Sequence, residues 1–155
     1  EEEKYRKDYV TKVYREIFLS DEEYKKDRIF EGVEPLMQKL RDLGIKIGYA
    51  SGRSTAGVKR TLDATFLGDF CDGYCGGSEV PSKPDPAMLM KLSATLGIRT
   101  DAFLGVGDSD LDIRMFKRAG SFSLGVQTGV LSGNGLLPLK PDLLLPAAGD
   151  LRFYL

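Results

Sequence analysis

The chain has 155 residues, of which 42% are hydrophobic and 29% are charged, and its net charge is −1. This composition is typical of one globular domain with a real core, and it argues against nucleic acid or a membrane surface as a partner. Histidine is absent, which excludes histidine general bases, Ser-His-Asp triads and histidine-bound zinc. Cys71 and Cys75 are too few for a zinc site, and we expect them to be small apolar core residues.

The sequence pattern of residues 1–28 predicts helices and no strand. Apolar residues from Val10 to Phe18 recur at helical spacing, and Ser20 predicts the start of a second helix that ends near Asp27. We therefore expect a small helical element that stands outside the pattern of the rest of the chain.

From Ile29 onward, strands alternate with helices. Three glycines each follow a stretch of apolar residues at helical spacing and predict the end of a helix: Gly44, Gly97 and Gly120. The expected helices cover 33–43, 55–64, 86–96 and 110–119, and the expected strands cover 45–50, 70–74, 102–106, 122–126 and 143–145. Short loops between alternating strands and helices predict an α/β fold in which helices flank a parallel sheet.

Polar residues that could bind a ligand lie at the ends of two of these strands and within one proline-rich loop. Ser51 and Gly52 end the first strand, where close backbone approach and a helix start suit an anion, although the same residues suit a plain helix cap. Lys83 lies between Ser82 and Pro84, and a lysine held by prolines suits phosphate, although it also fits an exposed turn.

Three carboxylates, Asp108, Asp110 and Asp112, follow the strand that ends at Gly107. Ligands of open α/β sheets bind at the carboxyl ends of strands, and carboxylates there suit Mg²⁺. Asp108 and Asp112 can share one cation, whereas Asp110 is expected to face solvent or cap the helix. A solvated helix start is the competing interpretation, because aspartate is favoured there.

The order of these motifs resembles the haloacid dehalogenase-like hydrolase superfamily, and most closely its phosphoglycolate phosphatase-like members. The sequence IGYASGRS at 47–54 is similar to the second motif of the superfamily, SKPDP at 82–86 to the third, and VGDSDLDI at 106–113 to the fourth. The resemblance implies a Rossmann-like core over 29–155, with 1–28 as the remnant of a helical cap. Together with the cysteine usage, it also implies a cytoplasmic protein.

The resemblance also implies roles for individual residues. Ser51 and Gly52 would bind the phosphoryl group, with Arg53 as a further substrate contact, and Lys83 would neutralise the phosphoryl oxygens. Asp108 would ligate Mg²⁺, and Asp112 would help to hold the metal or orient Lys83. The loop at 128–135 is a further candidate for substrate contact. The implied activity is Mg²⁺-dependent hydrolysis of a small phosphorylated metabolite.

The first motif of the superfamily, an Asp-x-Asp pair after an N-terminal strand, has no match in residues 1–28. Asp108-Ser109-Asp110 does follow a strand, but it comes after the other two motifs, where the fourth motif belongs. We expect the chain to be a fragment that is inactive alone. The sheet should then have a gap where the missing strand belongs, so that Ile47 and Leu104 do not pair directly. A sugar-phosphate mutase and a non-catalytic binding or regulatory module remain as alternatives.

Overall fold

The computed structural model describes residues 29–131 and 133–155. The helical cap remnant expected over residues 1–28 lies outside the described residues. The helices are α1 (Val33–Asp42), α2 (Thr55–Ala64), α3 (Ala87–Leu96) and α4 (Asp110–Arg118). The strands are β1 (Gly48–Ser51), β2 (Gly73–Gly76), β3 (Leu104–Gly107), β4 (Phe122–Val126) and β5 (Leu143–Leu145). All strand pairs are parallel, so the predicted α/β fold is confirmed.

Local sequence signals place the helix ends. Gly44, Gly97 and Gly120 have φ angles of 71°, 67° and 71°, a backbone conformation that glycine adopts at little cost. Each of them directly follows the last turn of a helix, as expected. Ser54 caps α2 by accepting a hydrogen bond from the amide of Gly57 at 3.2 Å.

Several element boundaries differ from the sequence-based expectation. β1 begins at Gly48 because the amide of Ile47 donates to the Asp72 carboxylate at 2.7 Å rather than to a neighbouring strand. β2 begins at Gly73, not at Phe70, because the apolar residues of Phe66–Phe70 form a 3₁₀ turn. The loop expected over 128–135 passes into a 3₁₀ helix over Gly133–Leu139.

The strands form two separate ladders. β1 pairs with β2, while β3, β4 and β5 pair in that order. Among the described residues β1 and β3 do not pair with each other, and no strand pairs with both of them. The predicted gap between Ile47 and Leu104 is therefore confirmed. We call these two edges of β1 and β3, with which no described strand pairs, the slot.

Two apolar clusters cover the faces of the sheet. One face packs on α3 and α4 in a single cluster that joins both ladders, so the slot does not divide the core. Its fully buried residues are Cys75, Met88, Ile113, Met115 and Leu136. The other face packs on α1 and contains Leu36, Leu124, Val126, Leu145 and Leu151. Successive strand residues alternate between these faces.

β3 is covered on one face only. Gly105 packs against the ring of Phe116 and Gly107 against Asp112, both in α4, and neither glycine has room for a Cβ. On the opposite face Leu104 and Val106 remain 43% and 40% exposed. Their exposure is unusual for the apolar residues of an interior strand of a parallel sheet, which is normally covered on both faces.

Cys75 is buried in the core, as predicted, whereas Cys71 is only half-buried. Both are free thiols, and burial raises the pKa of each. None of the helices in the described ranges has the length and apolar character needed to cross a membrane.

Asp142 links β4 to the turn before β5. One of its carboxylate oxygens accepts hydrogen bonds from the Ser123 hydroxyl at 2.6 Å and the Ser123 amide at 2.8 Å. These bonds hold the pKa of Asp142 below its usual value. A carboxyl whose pKa is lowered by folding stabilises the protein above its unfolded pKa of about 4, and this contribution is lost as the pH falls through the folded pKa.

We therefore expect Asp142→Ala to lower the free energy of unfolding at pH 7, and we expect its difference from the wild type to shrink below about pH 4. Urea unfolding of both proteins between pH 3 and pH 7 measures this. A difference that stays constant over the whole range would contradict a role for the ionised carboxylate.

Candidate phosphoryl-transfer site

Lys83 connects the two ladders at the carboxyl ends of their strands. Its ammonium donates to the carbonyl oxygen of Ala50 in β1 at 2.9 Å and to Oδ1 of Asp112 in α4 at 2.7 Å. The Lys83 side chain is 17% exposed and that of Asp112 is 10% exposed. Lys83 is therefore not a solvated residue of an exposed turn. Its charge is held beside Ser51, the next residue after Ala50.

Asp112 is held by the start of α4. Its Oδ2 accepts from the Ser109 hydroxyl at 2.5 Å and from the Ser109 amide at 3.2 Å, while the Asp112 amide donates back to the Ser109 hydroxyl at 3.2 Å. This is a capping box, so Ser109 rather than Asp110 caps the helix. Asp110 is exposed and lies 3.6 Å from Arg114. Both carboxylate oxygens of Asp112 thus already have protein partners, an arrangement that suits the orientation of Lys83.

Asp108 leaves β3 and meets the loop after β4. Its Oδ2 accepts a hydrogen bond from the amide of Val130 at 2.7 Å, and its carbonyl oxygen accepts one from the amide of Leu131 at 3.1 Å. The hydrogen bonds of the described residues leave Oδ1 without a donor. Mg²⁺ is commonly held by one or two carboxylates together with water and phosphate, and Asp108 fits that requirement. The described residues contain no cluster of three or more metal-binding side chains.

The turn after β1 is held by neighbouring glycines. The Ser51 hydroxyl oxygen accepts from the Arg53 amide at 3.2 Å, and the Gly77 amide donates to the Arg53 carbonyl at 2.7 Å. A Cβ on Gly77 would lie 2.8 Å from the Gly52 carbonyl oxygen, whereas one on Gly52 would meet nothing within 4 Å. Gly77 therefore packs against one side of the turn, and there is open space beside Gly52.

The first amides of α2 already have hydrogen-bond partners within the protein, whereas an anion site needs such amides to be free. The Thr55 amide donates to the Ser78 hydroxyl at 3.0 Å, and the Gly57 amide donates to Ser54. The Arg53 guanidinium donates to the Thr61 hydroxyl at 2.8 Å and so runs along α2. The structure therefore connects Lys83 with Ala50, the neighbour of Ser51, and with Asp112, which is bound to the residue after Asp108. The described hydrogen bonds of Lys83 do not include the Arg53 guanidinium.

Sequence reasoning did not assign supporting roles to four residues of this region. Ser109 fixes Asp112, Gly77 supports the Ser51 turn, and Gly129 and Val130 contact Asp108. The capping box, a serine three residues before an acidic residue, was the readable signal for Ser109. The contacts of Gly77 and Val130 link residues distant in the chain, and no local pattern predicts them.

Comparison with known proteins gives the family. The model of the haloacid dehalogenase-like hydrolase family matches residues 1–120. The chain belongs to this family. Phosphoglycolate phosphatase from Pectobacterium atrosepticum is 30% identical over 124 residues, which cover 79% of this chain and 53% of that protein. The corresponding protein of Pseudomonas putida is 30% identical over 128 residues, which cover 82% and 46%.

Solved structures agree with this assignment at the level of the fold. The crystal structure of β-phosphoglucomutase from Clostridium difficile has a TM-score of 0.69 at 22% identity, and the match covers 81% of this haloacid dehalogenase-like chain and 53% of that one. The chain spans about half the length of the relatives it matches. The family match over residues 1–120 includes the three segments at 47–54, 82–86 and 106–113.

Proposed function

We propose that the protein is a Mg²⁺-dependent hydrolase of small phosphorylated metabolites in the cytoplasm, and that it is completed by a strand in the slot. The observation that carries this proposal is the placement of Lys83 between Ala50 and Asp112, one residue from Ser51. A fixed ammonium beside a serine hydroxyl and a glycine amide stabilises charge on a transferring phosphoryl group. The named activities of the relatives support this choice of chemistry.

In this proposal each residue has one task. The Ser51 hydroxyl and the Gly52 amide donate to phosphoryl oxygens, and Lys83 neutralises their charge. Asp112 and Ser109 keep the Lys83 ammonium in place. Asp108 would hold Mg²⁺, which when bound withdraws charge from the phosphoryl group. The attacking carboxylate would come from the strand that fills the slot, because Asp112 is engaged by Lys83 and Asp108 is assigned to Mg²⁺.

Replacing Lys83 by methionine tests the proposal in the completed protein. The assay combines the chain with a polypeptide of about six apolar residues followed by Asp-x-Asp, and it measures hydrolysis of 4-nitrophenyl phosphate with Mg²⁺. We expect Lys83→Met to lower kcat by about 10²–10³, the usual cost of losing a group that stabilises transition-state charge. Lys59→Met is the matched control, because Lys59 is an exposed lysine of α2 paired with Asp63.

Each alternative gives a different result in this assay. Turnover that survives Lys83→Met would contradict the assigned site. A wild-type chain that binds the added polypeptide and still hydrolyses nothing would indicate a non-catalytic binding module. Conversion of a sugar phosphate into its isomer without release of phosphate would indicate a mutase.

A further inference from the structure

We infer that Gly129 and Val130 are positioning residues that clamp the Asp108 carboxylate, with Oδ2 bound to the protein and Oδ1 left for a cation. This inference rests on the proposed role of Asp108 and extends it to the loop after β4. Contact of this loop with substrate stays a prediction, while the described hydrogen bonds of Val130 and Leu131 go to Asp108. Its role is thus to orient a ligand of the metal.

The first part of the clamp is a main-chain donor. The Val130 amide donates to Asp108 Oδ2 at 2.7 Å, a length typical of a hydrogen bond to an ionised carboxylate. The Val130 side chain itself is 78% exposed, so packing of this side chain does not explain where the residue lies. What Val130 contributes to Asp108 is therefore its amide, and the side chain is dispensable for that contact.

The second part of the clamp is the absence of a side chain at position 129. A Cβ built on Gly129 would overlap the Asp108 carboxylate, with Cβ and Cγ of Asp108 both 2.5 Å away. Any larger residue must push the carboxylate aside or move the loop. The Leu131 amide adds a third contact, to the Asp108 carbonyl at 3.1 Å, which ties the loop to the end of β3.

Partners that orient a metal ligand typically change metal affinity by about 10- to 100-fold when they are lost. The effect of the clamp on a cation can be followed without activity, by adding Mn²⁺ to the isotope-labelled chain and recording paramagnetic broadening of its amide NMR signals. We expect broadening near Asp108 in the wild type. Gly129→Ala should raise the Mn²⁺ concentration needed for half-maximal broadening by about 10-fold or more.

Two matched pairs make the test specific. Gly48→Ala is the control for Gly129→Ala, because the atoms nearest to a methyl group there would be side-chain atoms of Leu92 and Leu96, at an ordinary contact distance of 3.4 Å. Val130→Pro removes the amide donor and should weaken Mn²⁺ binding, whereas Val130→Ala keeps the amide and should not. Because the second pair alters only position 130, it decides the question even if Gly129→Ala fails to fold.

The outcomes separate the clamp from the function on which it rests. If Asp108→Asn leaves the broadening unchanged, Asp108 is not the metal ligand and the proposed metal site is wrong. If Asp108→Asn abolishes broadening while Val130→Pro and Val130→Ala behave like the wild type, the metal site stands and the clamp is refuted. Loss of the Mn²⁺-induced broadening in both Asp108→Asn and Val130→Pro, with broadening in Val130→Ala equal to that of the wild type, supports the clamp.

Discussion

Replacing Asp112 by alanine is expected to lower the free energy of unfolding by about 3 kcal/mol, the low end of the cost of removing one partner from a buried ion pair. The low end applies because the pair retains some exposure, 17% for the Lys83 side chain and 10% for Asp112. The variant leaves the Lys83 ammonium with only the Ala50 carbonyl as a described partner. It also removes the acceptor that holds the Ser109 amide and hydroxyl. Urea unfolding at neutral pH measures the change.

A matched control and a double variant complete this experiment. Asp110→Ala removes an exposed carboxylate two residues away, whose only described ion pair, with Arg114, spans 3.6 Å, and we expect a change within about 0.5 kcal/mol. Adding Lys83→Met to Asp112→Ala removes the stranded charge and should recover part of the loss. Equal effects of Asp112→Ala and Asp110→Ala would show that the ion pair does not contribute to stability.

Filling the slot is expected to have the largest effect of all, converting a chain that we expect to be inactive alone into an active phosphatase. A strand between β1 and β3 would pair with both open edges, and its side chains would pack beside Leu104 and Val106. A ligand that binds only the folded state stabilises it by RT ln(1 + [L]/Kd), about 2.7 kcal/mol at 100 times Kd. We therefore expect the melting temperature to rise with peptide concentration, together with the onset of 4-nitrophenyl phosphate hydrolysis.

The exposed face of β3 provides the control for slot filling. Leu104→Lys places a charge where the inserted strand would pack, and we expect it to weaken or abolish the effect of the peptide. Leu111→Lys changes a leucine of α4 with the same 43% exposure and should leave the effect intact. Hydrolysis by the chain without any peptide would contradict the prediction and would place the nucleophile among its own residues, with Asp108 first to be tested.

Periodicity predicted the elements well because it depends on burial, which repeats along each helix and strand. Thr55–Ala64 and Phe122–Val126 match the prediction at both ends. The prediction failed at Phe70, which was expected to begin a strand and instead ends the 3₁₀ turn Phe66–Phe70. At Ile47 it failed because a side chain, that of Asp72, takes the place of a backbone acceptor.

The site was predictable to the extent that chemistry follows strand ends. Ser51, Lys83 and Asp112 were named from their motifs, and the structure connects them through Ala50. The partner of each carboxylate was not predictable, because it depends on loops that meet only in three dimensions. Asp112 could either ligate a metal or orient Lys83. Ser109 decides between these roles, because its hydroxyl and amide donate to the second carboxylate oxygen of Asp112.

The length of the open edges affects how the chain behaves when it is concentrated. β1 and β3 have only four residues each, so a second copy that docks on one edge gains few main-chain hydrogen bonds. A strand in the slot pairs on two sides and gains about twice as many. Short edges are a recognised protection against edge-to-edge aggregation. The same geometry that admits an inserted strand thus disfavours self-association through these edges, and purified chain should form fewer edge-to-edge fibres than a chain with a longer exposed edge.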